Sequence, residues 1–112
     1  MSKLKLSVAV GPYDRTRALV DGSVEIDGVE AGCMTLPPEE IFFRAFRQEA
    51  FDICEFSLSS FTVKTALGTS PYVGVAAFVS RMFRHTGIYC RTDRIKKPAD
   101  LKGKRVGITE NQ

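Results

Sequence analysis

Leu4, Leu6, Val8 and Val10 alternate with Lys5, Ser7 and Ala9, and a period of two marks a strand with one side toward a core. Gly11-Pro12 ends it. A short helix is expected after Asp14, whose carboxylate can accept from the free amides of a first turn, with Gly22 suited to a left-handed stop. Residues 23–26 and 29–36 read as extended, separated by Asp27-Gly28, a dipeptide that favours a tight hairpin turn; a single kinked strand is the other reading. Pro37-Pro38-Glu39-Glu40 sets proline and acids where a helix begins, and Ile41, Phe42, Ala45 and Phe46 form its apolar stripe, a core face and not a cofactor box. Residues 51–55 form a short strand, after which Ser57 caps a helix running to about residue 67, with Gly68 as its stop. Residues 72–79 and 86–91 look like two further strands joined by a polar-aromatic bridge at 80–85. In residues 98–108 a one-turn helix is joined through Gly103 to a buried strand. Strands alternating with helices predict an α/β sheet.

At 112 residues and 44% hydrophobic content the chain can bury one core, and one domain is expected. The longest apolar run, residues 72–79, is interrupted by Gly74 and is far short of the roughly 20 residues a membrane-spanning helix needs, so no membrane partner is expected. The N-terminus has the positive charge of a signal peptide's first region, but residues 4–10 alternate instead of forming a continuous apolar block; the reading is cytoplasmic. Cys33, Cys54 and Cys90 show neither Cys-x-x-Cys pairing nor a matched histidine, and are read as reduced, half-buried thiols with no metal. The net charge of +3 is unevenly placed: from Arg81 onward nine Lys or Arg stand against Asp93, Asp100 and Glu110. An anionic ligand is one consequence of that asymmetry; a solvated basic face is the other.

In an open α/β sheet, ligands bind outside the carboxyl ends of the strands. Four segments are expected at that edge: residues 11–17, 55–60, 80–85 and 109–112. Ser57, Ser59 and Ser60 combine hydroxyls with the free amides of a helix start, a fit for a carboxylate or phosphate, against the alternative that they only cap the helix. Arg81 and Arg84 flank the only histidine, His85, beside Phe83, a stacking surface for an aromatic ring; guanidinium groups can grip carboxylates and His85 can move a proton near neutral pH. Exposed loop charges are the bland alternative. Glu55 ends an apolar strand, so it must meet a polar cleft or a cation, because an unpaired buried carboxylate is costly to ionise. It is a candidate general acid or base, with a structural ion pair to an arginine as the alternative. Tyr13, Asp14 and Arg15 sit at the first strand's exit, where Arg15 can touch ligand and Asp14 can cap.

No Gly-x-Gly-x-x-Gly, Gly-x-x-x-x-Gly-Lys, Gly-x-Ser-x-Gly or His-x-x-x-His motif is present. No cofactor is therefore called for, and no nucleic-acid module accompanies the basic charge.

Val-Gly-Pro-Tyr-Asp-Arg-Thr-Arg-Ala-Leu at 10–19, Leu-Pro-Pro-Glu-Glu-Ile-Phe-Phe-Arg-Ala-Phe at 36–46, Phe-Asp-Ile-Cys-Glu-Phe-Ser-Leu-Ser-Ser at 51–60 and Phe-Val-Ser-Arg-Met-Phe-Arg-His-Thr-Gly-Ile-Tyr at 78–89 resemble the N-terminal part of 4,5-dihydroxyphthalate decarboxylase-like proteins. Asp-Leu-Lys-Gly-Lys-Arg-Val-Gly at 100–107 resembles a segment that many type II periplasmic-binding-like domains share. The resemblance implies that fold, with residues 1–112 as the first part of a two-lobed domain whose second lobe is absent. It implies a cytoplasmic enzyme that removes one carboxylate of 4,5-dihydroxyphthalate to give protocatechuate and carbon dioxide. Its partner is then a small anionic aromatic substrate, and the full-length protein could assemble as a homo-oligomer. Arginines would hold the carboxylates and His85 or Glu55 would protonate the ring. A transporter-type solute-binding protein for an aromatic carboxylate or a related small anion is the alternative, with a thiamine-pyrimidine synthase-like enzyme ranked behind it. The chain by itself is expected to expose strand edges and apolar surface and to be inactive.

Overall fold

The computed structural model describes residues 2–81 and 87–107. They fall into two compact units, Met1–Val79 and Ser80–Gln112. The first is an α/β unit built on a three-stranded, all-parallel sheet: β1 (Leu4–Val10), β2 (Val29–Thr35) and β3 (Ile53–Cys54), in the order β2-β1-β3. β1 is the central strand. It runs beside β2 from Leu4 opposite Val29 to Val10 opposite Thr35, and beside β3 at Val8 and Ala9.

The alternation in β1 predicts one core face, but both faces are covered in its second half. Val8, Ala9 and Val10 are all buried, whereas Leu4, at the other end, is 60% exposed. Parallel strands covered on both sides lose the in-out alternation that marks a half-buried strand. The main cluster gathers on the Ala9 side, where α2 (Pro38–Gln48) sets Ile41 and Ala45 against Ala9 and Phe51, with Leu36, Phe42, Cys54, Phe56 and Tyr72 around them. Ile41 is fully buried, so truncating it to alanine would cost about 2–5 kcal/mol. α2 begins as the sequence predicts, with Pro38 and two acids in its first turn, and ends at Glu49, which takes a left-handed conformation usually left to glycine. α3 (Leu58–Ala66) comes after β3 and stops before Gly68, at φ 67°.

The hairpin reading does not hold. Asp21 accepts hydrogen bonds from the Ser23 amide at 2.9 Å and from its hydroxyl, and the Val24 amide bonds back to Ala18 in α1 (Arg17–Val20). Residues 23–26 are thereby bent away from any strand. Asp27-Gly28 does turn, with Gly28 at φ 73°, but it feeds β2 into a parallel pairing with β1.

Residues 72–79 also form no strand. Ser70 brackets Tyr72, donating to its carbonyl at 2.9 Å and accepting from its amide at 3.3 Å, and the Ala77 amide closes a three-residue turn onto Val75. Val73 and Val75 are 92% and 83% exposed. Apolar alternation shows which side chains seek burial; it does not supply the neighbouring backbone a strand must pair with.

In the second unit, residues 87–91 are likewise not strand, and 105–107 are exposed and irregular instead of a buried strand. The one-turn helix is present, a 3-10 turn at Pro98–Leu101, and Gly103 has φ 72°. Asp100 organises that turn by accepting from the amides of Lys96 at 2.9 Å and Lys97 at 3.1 Å. Arg91 grips Asp93 with two hydrogen bonds, so part of the basic excess is balanced locally. Cys33 and Cys54 are half-buried as expected; Cys90 is exposed. Among the described residues no helix is long and apolar enough to cross a membrane.

β3 is only two residues long, so its register needs outside support. The Asp52 carboxylate accepts from the Ser7 amide at 2.8 Å and hydroxyl at 2.7 Å, and the Ser7 hydroxyl accepts from the Asp52 amide at 3.0 Å. The backbone bond from Ser7, with that from its hydroxyl second, holds the Asp52 carboxyl below its ordinary value of 3.8. A carboxyl whose folded pKa is depressed contributes stability above its unfolded pKa and loses it as the pH falls through the folded value. In the full-length protein, Asp52→Asn is therefore expected to lower the thermal midpoint at neutral pH, with the gap to the unmodified protein closing as the pH drops below 3.8. Melting curves across that range check it, and a gap independent of pH would remove the charge from the explanation.

Candidate functional site

Strand order β2-β1-β3 means that the chain advances one way across the sheet from β1 to β2, then returns past β1 to place β3 on its other edge. The reversal lies between β1 and β3. Because both strands run the same way, the loops after them leave from one edge, the position where open α/β sheets hold ligands.

After β1 the backbone folds back at once. The Tyr13 amide bonds to the Gly11 carbonyl at 2.8 Å, and buried Thr16 ties the turn by donating from its hydroxyl to the carbonyls of Gly11 at 3.2 Å and Tyr13 at 3.1 Å. This turn lays the Tyr13 ring across Gly11. After β3, the Glu55 amide continues the ladder by bonding to the Ala9 carbonyl at 3.1 Å, which delivers the Glu55 side chain to the same place. The Tyr13 hydroxyl donates to the Glu55 carboxylate, 3.0 Å from one oxygen and 3.2 Å from the other. Glu55 is 7% exposed. The sequence left it a cleft or an arginine as partner, and the partner it finds is a phenol 42 residues away. A hydrogen bond to a charged group is worth about 1.5–3 kcal/mol.

Arg15 joins this pair through the Tyr13 ring. Its guanidinium lies 4.5 Å from the ring centre, its Nε donates to the Val79 carbonyl, and Asp14 sits 3.3 Å from one of its terminal nitrogens. Asp14 is not a cap in front of the helix: it is the first residue of the 3-10 turn Asp14–Thr16, and its carboxylate accepts from the Arg15 amide at 2.8 Å.

Ser57 stands at the N-cap of α3 without capping it through its side chain. Its hydroxyl is instead 2.9 Å from that of Ser59. Ser59 is exposed, while Ser60 is buried at 1% exposure and belongs to the packing of α3. The expectation of a plain serine cap is thus corrected, because the hydroxyl–hydroxyl contact competes with the backbone amides for the Ser57 oxygen. Arg81 lies in the second unit and is exposed. Phe83, Arg84, His85 and the 109–112 segment lie outside the described residues.

A shallow groove of about 390 Å³ lies elsewhere, lined by the later part of α3 and by residues 70–74. It holds none of the sequence-predicted residues. At its margin the Tyr72 hydroxyl is buried beside the Cys54 thiol without a hydrogen bond of ordinary geometry, and burial pushes both groups above their usual pKa values. Neutral at physiological pH and flanked by aromatic packing, this pair serves the core. Tyr13, Arg15 and Glu55 are the ionisable groups brought into contact at the β1/β3 edge. Among the described residues no group of three His, Cys, Asp or Glu is placed to hold a metal ion.

Over its whole length the chain is similar to 4,5-dihydroxyphthalate decarboxylases. It is 64% identical, across an alignment of 113 residues, to the protein of that name from Comamonas testosteroni and equally to that from Pseudomonas putida. All of this chain is covered, but it spans only 34% and 44% of those relatives. No family model matches the chain.

Sequence reasoning put Arg15 and Glu55 in the site but missed Tyr13 as the group that joins them. The signal was Gly11: a glycine directly after a buried strand marks a close approach. A Cβ there would lie 2.6 Å from Tyr13 Cζ and 2.8 Å from Glu55 Oε1. Gly11→Ala is therefore expected to swing the flexible ends of Tyr13 and Glu55 apart and to destabilise the full-length protein by about 1–3 kcal/mol through the loss of their hydrogen bond. Chemical denaturation measures this, and unchanged stability would mean that the ring does not rest on Gly11.

Proposed function

We propose that the chain is part of a carboxy-lyase that converts 4,5-dihydroxyphthalate to protocatechuate and carbon dioxide in the cytoplasm, on a type II periplasmic-binding-like fold. The observation that carries this reading is identity at 64% along the whole chain to two proteins bearing that activity in their names. The α/β sheet with its polar cluster at the β1/β3 edge fits it, since such an edge is where a small anion would be received.

The chemistry assigns work to particular residues. One carboxylate leaves as carbon dioxide, and the electron pair of the broken bond returns to the ring. A proton must arrive at that ring carbon, and the hydroxyl para to it supplies electron density as it gives up its own proton. Arg15, Arg81 and Arg84 would hold the carboxylates through charge-assisted bonds, and the free amides at the start of α3, with the Ser57 and Ser59 hydroxyls, could hold one of them. Ser60, being buried, would position α3 instead of touching ligand. Phe83 would stack on the ring and His85 would deliver the proton to carbon.

Carbon dioxide release from 4,5-dihydroxyphthalate by the full-length protein tests the reading, with binding followed in parallel. Turnover is expected. Binding without turnover would favour a solute-binding role, and neither would overturn both. His85→Gln is expected to lower kcat by about 10²-fold or more, the usual scale for a lost general acid. Normal turnover in that variant would remove His85 from the mechanism.

A further inference from the structure

We infer that Tyr13 and Glu55 work as one proton-relaying unit for a phenolic hydroxyl of the ligand, Tyr13 touching the ligand and Glu55 storing the proton behind it. The inference deepens the proposed function and rests on it for the identity of the substrate. Its warrant is the geometry. The Tyr13 hydroxyl donates to Glu55, 3.0 and 3.2 Å from the two oxygens, and a phenolic oxygen can accept a proton while it gives one. Both groups stand at the sheet edge where ligand would enter, Glu55 buried at 7% exposure and Tyr13 partly exposed in front of it. The arrangement is built with close tolerance, because bare Gly11 is what lets the ring and the carboxylate meet. A carboxylate that only needed neutralising could take an arginine. This one is given a group that can pass a proton in either direction.

In the relay step a ligand phenol gives its proton to the Tyr13 oxygen as Tyr13 gives its own to a Glu55 oxygen, leaving a phenolate on the ligand and a neutral carboxylic acid on Glu55. The negative charge that leaves Glu55 appears on the phenolate, which raises electron density at the para carbon for protonation by a separate acid. When the carboxylate departs as carbon dioxide and the ring regains aromaticity, the two protons return along the same path. Glu55 is thereby assigned to the phenol side of the reaction and not to ring protonation. The groups beside the relay are the Arg15 guanidinium, 4.5 Å from the centre of the Tyr13 ring, and the Cys54 thiol next to Glu55 in the chain, which burial pushes above its usual pKa.

The test uses the full-length protein with Tyr13→Phe, Glu55→Gln and the double variant. Each single change is expected to lower kcat by about 10²-fold with KM little altered, and the double variant is expected to be no worse than the poorer single one, as for residues that act as a unit. Losses that multiply, or Tyr13→Phe with normal kcat, would overturn the relay. A second readout does not need turnover. Protocatechuate bound to the unmodified protein is expected to show the absorbance shift of phenolate formation. Glu55→Gln is expected to abolish that shift while leaving binding intact, whereas a purely structural role would weaken binding instead. If the unmodified protein releases no carbon dioxide, the substrate assignment fails and this spectrum alone decides: a shift dependent on Glu55 sustains the relay, and no shift overturns it.

Discussion

Everything in the first unit depends on β1 having a neighbour on each edge. A strand in that position satisfies its backbone on both sides, and its second half is buried on both faces at Val8, Ala9 and Val10. It is also the strand against which β2 and β3 are aligned. Because all three run parallel, the segments after β1 and β3 leave from one edge, and with the turn that Thr16 ties this brings Gly11, Tyr13 and Glu55 together, the phenol and the carboxylate being 42 residues apart in sequence. The weak element is β3, which pairs at only two positions. A shift of one residue there would turn every side chain to the opposite face and carry Glu55 away from Tyr13. The reciprocal bonds between Ser7 and Asp52 and the bond from Glu55 to Ala9 hold that register from both ends. A surface carboxylate thus controls the geometry of a buried one.

The elements legible in the sequence are those specified by local physics. β1 has the bounds that periodicity suggests, α2 begins where Pro37-Pro38 suggests, and Gly22 and Gly68 adopt the left-handed conformations that stop signals require. What was not legible depends on partners. Asp27-Gly28 encodes a turn and says nothing about whether the next strand pairs with the one before it or with β1. Residues 72–79 have a strand's side chains but no neighbouring backbone, so Ser70 and a tight turn at residues 75–77 take over. The same holds for the candidate site. Glu55 stood out because a carboxylate at the end of an apolar strand is an anomaly that the sequence itself reveals. Tyr13 did not, because a tyrosine in a loop is ordinary until a contact distant in sequence gives it a purpose.

The pairing of Glu55 with a phenol in place of an arginine has an electrostatic consequence. An ion pair would be neutral overall; the Tyr13–Glu55 pair keeps one negative charge at the edge where, under the proposed function, a dianionic ligand must sit. Like charges about 4 Å apart near a protein surface cost about 4 kcal/mol unless cations offset them. Arg15, stacked on the Tyr13 ring, supplies one from the first unit. Basic residues accumulate in the rest of the chain, nine Lys or Arg from Arg81 onward against three acids. Arg91 is balanced by Asp93, whereas Asp100 spends its carboxylate on backbone amides, so the local acids offset only part of that excess. A site that must accept a proton from a phenol cannot have its base neutralised by a fixed cation, and the positive charge that binds the ligand's carboxylates has to be carried by other residues.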